Sequence, residues 1–225
     1  MKFEKRELLI FDLDGTLVDS ASDLAAAVNM MLKQLGKDSF EEDVVRGWVG
    51  NGARVLVKRA LCGGVEDEKM DEKLFKTAFE LFMDAYSKNI CVNTKLYPGV
   101  KVALAKLAED GYRMAIATNK PSQFVRPILE ALSIESFFEV VVGGDDLPEK
   151  KPHPAPLLNI CERVGVNSDR ALMVGDSKND ILAAKAAGMA SIGVAYGYNY
   201  GEDIAIYEPD AVATSFLEIL DMLKR

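Results

Sequence analysis

The sequence predicts an α/β fold: a doubly wound parallel sheet with an all-helical domain inserted after its first strand. Three observations predict it. The apolar run Leu8-Leu9-Ile10-Phe11 stops at Asp12, and such a run reads as a strand buried on both faces, as in a parallel sheet covered by helices. From Pro98 onward helical and strand patterns alternate, which is the mark of successive βαβ units. Between the two, residues 21–92 show helical periodicity and no clear strand, a stretch too long for an ordinary crossover. The core is therefore Rossmann-like, and the insertion is a helical cap domain.

Each element follows in order. The first strand, 8–11, turns at Asp14-Gly15. Ser22 to Val28 opens a first helix, Ala53 to Leu61 forms a second and Asp67 to Lys88 a long third, with breaks at Gly36, 47–52 and 62–64. The connectors are Val18 to Ser20 and Lys95 to Pro98, so the cap spans 19–96 and the Rossmann-like core spans 1–18 and 97–225. Helices over 99–110, 121–132, 154–164 and 178–187 then alternate with strands over 112–117, 138–142, 170–174 and 190–194. A short strand at 210–213 and a helix over 215–224 close the chain.

With 225 residues, 49% of them hydrophobic and 28% charged, the composition is that of an ordinary globular protein. The net charge of -8 argues against a nucleic-acid partner, whose footprint is a basic stripe. No apolar stretch approaches the roughly 20 residues of a membrane helix. The apolar run behind the basic N-terminus is too short for a secretory signal. A cytoplasmic protein without a membrane partner is expected, as monomer or homodimer. Cys62, Cys91 and Cys161 form no metal or disulfide spacing and read as small core residues, Cys161 with Leu157, Leu158 and Val164 at helical spacing.

Four predicted strands lead into polar residues suited to phosphoryl transfer. They are Asp12-Leu13-Asp14-Gly15-Thr16, Thr118-Asn119-Lys120, Lys150-Lys151-Pro152 and Asp176-Ser177-Lys178-Asn179-Asp180. In an open α/β sheet the carboxyl ends of the strands share one crevice, so the four segments converge there. Each has an ordinary reading when taken alone: Asp-Gly is common in turns, acids favour helix N-termini, and a lone lysine is usually solvated. Their joint occurrence carries the argument. His153, the only histidine, lies between two prolines in a shaped loop and is left out of the site.

DLDGT, TN, KP and GDSKND, in this order, resemble the motifs of the haloacid dehalogenase-like phosphatases with a helical cap. The resemblance spans nearly the whole chain, and the loop stretches at 47–56, 143–146 and 196–201 are similar to a branch acting on small anionic organic phosphates. It implies Asp12 as nucleophile, Asp14 as general acid and base, and Lys151 as the cation that holds nucleophile and phosphoryl oxygens. It further implies Thr118 and Asn119 as phosphate-binding donors. A Mg²⁺ site would be formed by Asp12, the Asp14 carbonyl and Asp176, with Asp180 supporting the metal shell.

In the cap, Gly50-Asn51-Gly52-Ala53-Arg54 can form a loop entering a helix N-terminus, so Asn51, Gly52 and Arg54 are candidates for reading an anionic leaving group. Arg54 and Lys58 fall on one helical face, which as a solvated basic face would carry no function. The expected activity is Mg²⁺-dependent hydrolysis of a small phosphate monoester through an aspartyl-phosphate. A sugar-phosphate mutase on the same core and a non-catalytic interaction protein are the alternatives. Isomer formation would mark the first, and loss of nucleophile, lysine or metal carboxylates would mark the second.

Overall fold

The computed structural model describes residues 3, 6–64 and 70–223. Strands β1 (Leu8–Phe11) and β2 (Val18–Asp19) precede four helices, α1 (Ala21–Gln34), α2 (Glu42–Arg46), α3 (Ala53–Leu61) and α4 (Glu72–Lys88). After β3 (Lys95–Leu96) come α5 (Val100–Glu109), β4 (Arg113–Ala117), α6 (Ser122–Ala131) and β5 (Val140–Val142). Then follow α7 (Ala155–Val164), β6 (Ala171–Gly175), α8 (Lys178–Ala186), β7 (Ala190–Val194), β8 (Ala211–Ala213) and α9 (Glu218–Met222).

Six strands form one parallel sheet in the order β5-β4-β1-β6-β7-β8. Alternate side chains of a strand point to opposite faces, so a sheet this apolar needs helices on both. Leu9 and Phe11 pack with Met114, Ile116, Leu172, Val174 and residues of α5, α6 and α9. Leu8 and Ile10 pack on the other side with Ala115, Ala117, Ala171, Met173 and residues of α7 and α8. β1 lies between β4 and β6, where the chain stops building toward one edge and starts toward the other. A crevice opens at the carboxyl ends of the strands at such a reversal, and Asp12 is the first residue beyond β1.

The four helices between β2 and β3 bury a cluster of their own, which also takes in Phe124 of α6 and Tyr198. Where the chain enters and leaves this block, β2 and β3 pair antiparallel. Buried Asp23 of α1 ties the two passages together: it accepts the Asn93 N–H at 2.8 Å, the Thr94 N–H at 2.9 Å and the Thr94 hydroxyl at 2.6 Å.

Several expectations need correction. The third helix, expected from Asp67, begins at Glu72 because Asp71 caps it by accepting the Lys73 N–H at 3.0 Å; residues 65–69 lie outside the described residues. The last helix is shorter than 215–224: the Glu218 carboxylate accepts the Thr214 N–H and hydroxyl, so regular helix starts at Glu218, and 224 is outside the described residues. Leu158 is 43% exposed, and Ile160 takes the place expected for it beside Cys161. The connectors hold a two-stranded ribbon, and α2 was not anticipated as a helix.

Candidate active site

Asp12 stands where the sheet ends. One of its carboxylate oxygens accepts the Leu13 N–H at 2.7 Å and lies 3.0 Å from Lys151 Nζ. Lys151 is 2% exposed, and its ammonium donates to Asp180 Oδ1 at 2.6 Å. Asp180 is fixed in turn by the start of α8, where Ser177 N–H and Oγ donate to Asp180 Oδ2 at 3.0 and 2.9 Å in a reciprocal capping box. Asp176 accepts the Thr16 hydroxyl at 3.0 Å and the Tyr198 N–H at 2.8 Å. Two glycines make room for it. A Cβ on Gly15, at φ +88°, would come within 2.2 Å of its carboxylate, and one on Gly197 within 2.1 Å of its Cβ.

Asp14 belongs to a second pair. Lys120 Nζ lies 3.0 Å from both of its oxygens, and Ser20 Oγ donates to it at 2.5 Å. Thr118 Oγ1 accepts the Lys120 N–H at 3.2 Å, which leaves its hydroxyl hydrogen to donate. The Asn119 side chain is already engaged. Its amide donates to the Gly50 carbonyl at 3.0 Å and the Lys151 carbonyl at 2.9 Å. Both side-chain amide hydrogens tie loops together, so any donation from Asn119 to a phosphoryl oxygen falls to its backbone N–H.

Oxygens of Asp12, Asp176 and Asp180 lie within 4.8 Å of one another, all buried. Three carboxylates against Lys151 leave two formal negative charges, and Asp14 and Lys120 cancel. Burial, reinforced by Asp180 and only partly opposed by Lys151, pushes the Asp12 carboxyl up to about 7. Burial, with Asp180 and Asp12, also raises Asp176 well above the usual carboxylate range. The Lys151 ammonium, which burial alone would weaken, is held by Asp12 and Asp180. Hard oxygen donors with a charge deficit of two fit a divalent cation such as Mg²⁺.

A family model described as haloacid dehalogenase-like hydrolase matches residues 9–194. The chain belongs to the haloacid dehalogenase-like hydrolases. Over its whole length this hydrolase is 51% identical to a phosphoglycolate phosphatase of Colwellia psychrerythraea, all of which it covers. It is 47% identical to a phosphoglycolate phosphatase of Psychrobacter arcticus, over 97% of this chain and 96% of that one. The crystal structure of a predicted phosphoglycolate phosphatase from Haemophilus somnus superposes with a TM-score of 0.92 at 42% identity, covering 98% of this chain and 99% of the other.

The helical side of the hydrolase's site is less polar than its sequence suggests. The pocket over Asp12, Asp14, Thr118, Asn119 and Lys120 is closed by Leu24, Val49, Gly50, Gly52, Ala53, Leu56, Phe82, Tyr86, Pro121 and Phe124. Gly52 is therefore present. Asn51 instead braces the loop: its side chain accepts from Arg59 at 3.1 Å, and its carbonyl from Lys150 Nζ at 2.7 Å. Arg54 is not brought to the pocket. It is exposed, with its guanidinium 4.7 Å from the ring centroid of Phe75 and 5.3 Å from that of Phe79, both on α4. Arg54→Ala should lower the stability of the helical block by about 0.5–1 kcal/mol and leave the ratio of KM values for carboxylated and uncharged substrates unchanged. Melting curves and a two-substrate comparison check it; a selective rise in KM for the carboxylated ester would return Arg54 to the site.

Sequence reasoning missed Lys120, Thr16, Ser20 and the Tyr198 N–H. Lys120 was legible only as part of Thr118-Asn119-Lys120, where a lysine after two polar residues looks solvated. His153 stays in its loop, its Nδ1 accepting the Ala155 N–H at 3.2 Å.

Proposed function

We propose that this chain is a Mg²⁺-dependent phosphomonoesterase that hydrolyses 2-phosphoglycolate to glycolate and phosphate, acting in the cytoplasm. The observation that carries it is the buried cluster in which Lys151 bridges Asp12 and Asp180 beside Asp176, with Asp14 held apart in its own pair. The names of the full-length relatives support the choice of substrate. No helix among the described residues is long and apolar enough to cross a membrane.

In the first step an Asp12 oxygen attacks phosphorus while the bond to the ester oxygen breaks, and Asp14 delivers a proton to the departing alkoxide. In the second, water attacks the aspartyl-phosphate, its proton passes to Asp14, and the bond between phosphorus and Asp12 breaks. Lys151 holds the nucleophile and the phosphoryl oxygens, and the Thr118 hydroxyl donates to the transferred group. Lys120 and Ser20 orient the Asp14 carboxyl through contacts of 3.0 and 2.5 Å. Asp12, the Asp14 carbonyl and Asp176 would hold Mg²⁺, with Asp180 supporting them, and the ion would neutralise the phosphate dianion as it nears a carboxylate. The helices between β2 and β3 act as the cap that excludes water.

A panel of phosphate monoesters, assayed for phosphate release with Mg²⁺ and after chelation, tests the reading. Highest kcat/KM on 2-phosphoglycolate, lost on chelation, is expected. Activity indifferent to chelation, or isomerisation of a sugar phosphate in place of phosphate release, would overturn it.

The raised Asp12 and Asp176 carboxyls give a further expectation for the metal-free protein. Their ordinary value is 3.8, so at intermediate pH the native state keeps protons that the unfolded chain has released. That contribution is complete below about 4 and, for Asp12, is lost as pH rises through about 7. Melting temperature should therefore fall between pH about 5 and about 8, and saturating Mg²⁺ should remove the fall by taking the protons' place. A pH dependence that Mg²⁺ leaves unchanged would contradict the metal assignment.

A further inference from the structure

Among the apolar groups of the pocket lining, Leu24, Leu56, Phe82 and Phe124, stands Tyr86 near the end of α4. It is 1% exposed; its hydroxyl oxygen faces the Lys120 ammonium, a group that can only donate, and its hydroxyl hydrogen has no acceptor among the described residues. Its ring is already well packed, 4.8 Å from Phe124 edge-on and 5.9 Å from Phe82 stacked. Phenylalanine would make the same contacts without burying a hydroxyl hydrogen that lacks an acceptor, which packing alone disfavours. Such a group points to a ligand that completes it.

The surroundings define that ligand. Lys120 Nζ sits 4.7 Å from the Tyr86 ring centroid and reaches Asp14 at 3.0 Å. Asp14 meets the ester oxygen of the leaving group, so the remainder of that group lies toward Lys120 and the helical side, with Tyr86 in the same pocket. An O–H donor beside an ammonium, in an otherwise apolar wall, suits a carboxylate. Burial raises the phenol, to about 12 despite Lys120, so it remains a donor throughout the neutral range.

We propose that Tyr86 determines specificity in this enzyme by donating its hydroxyl hydrogen to the carboxylate of the leaving group. This rests on the reading of 2-phosphoglycolate as substrate.

The test compares wild type and Tyr86→Phe, as the full chain with Mg²⁺, on 2-phosphoglycolate and on ethyl phosphate, which has the same carbon skeleton and no carboxylate. Tyr86→Phe should lower kcat/KM for 2-phosphoglycolate on the order of 10–100-fold, mainly through KM, with ethyl phosphate changed no more than about two-fold. Its melting temperature should change little, since the phenol hydrogen has no protein acceptor to lose and Lys120 keeps Asp14 at 3.0 Å. A variant that keeps the wild-type preference, or that loses equally on both esters, would overturn the role of Tyr86 and leave the substrate reading intact. A wild type that does not distinguish the two esters would overturn both.

Discussion

Asp12→Asn should reduce phosphate release by about 10⁴-fold or more, because an amide keeps the shape of the carboxylate and lacks the electron pair that attacks phosphorus. The fold should survive. Lys151 still has Asp180 at 2.6 Å, and the Leu13 N–H can still donate to the amide oxygen in place of the carboxylate. Since burial already disfavours the Asp12 charge, the metal-free variant should melt no lower than wild type at neutral pH, and Mg²⁺ should stabilise it less. Steady-state rates measured beside melting curves check both halves. Activity retained within tenfold, in protein shown by mass to carry the substitution, would remove Asp12 from the nucleophile's place.

Lys151→Met should produce the largest loss of stability of any single substitution at the site. The lysine is 2% exposed and stands between two buried carboxylates, Asp12 at 3.0 Å and Asp180 at 2.6 Å. Removing it leaves three acids within 4.8 Å of one another without a cation, and breaking a buried pair on one side costs about 3–5 kcal/mol. That is a large share of the ~5–15 kcal/mol that separates a domain from its unfolded state. The deficit should shrink as pH falls, when the acids take up protons, and also with added Mg²⁺. Chemical denaturation at two pH values, with and without Mg²⁺, measures it. A midpoint equal to wild type throughout would mean that Lys151 holds no charge balance in the native state.

The parts of the site legible in the sequence are those tied to strand ends. Leu8 to Phe11 had to be a buried strand, so Asp12 had to emerge at a sheet edge; Thr118 and Asp176 follow β4 and β6 directly in the same manner, and Lys151 lies in the loop that leads from β5 to α7. Their common edge is a consequence of parallel topology. Lys120 was not legible, because the partner that gives it a role, Asp14, is 106 residues away and no local pattern announces it. Arg54 shows the opposite error. Helical spacing places it on a face with Lys58, but only the packing of α3 on α4 decides that this face meets Phe75 and Phe79 and not the pocket. The strands β2 and β3, two residues each, are too short for any alternation to register. Asn119 was recognised as a site residue, yet which way an amide spends its hydrogens depends on carbonyls from two other segments. Nothing in the sequence marks Tyr86 within the third predicted helix; only the lack of an acceptor for its hydroxyl hydrogen does so.

The central claim is that the phosphoryl group passes through Asp12. Enzyme mixed in stoichiometric amount with phosphoryl-labelled substrate and Mg²⁺, quenched in acid within the first turnover and digested, tests it directly. The label should sit as an acid-stable, base-labile acyl phosphate on the peptide that carries residue 12, and should be absent from Asp12→Asn treated in the same way. Label on a different residue, or complete turnover with no phosphoryl group on the protein at any quench time, would contradict the account.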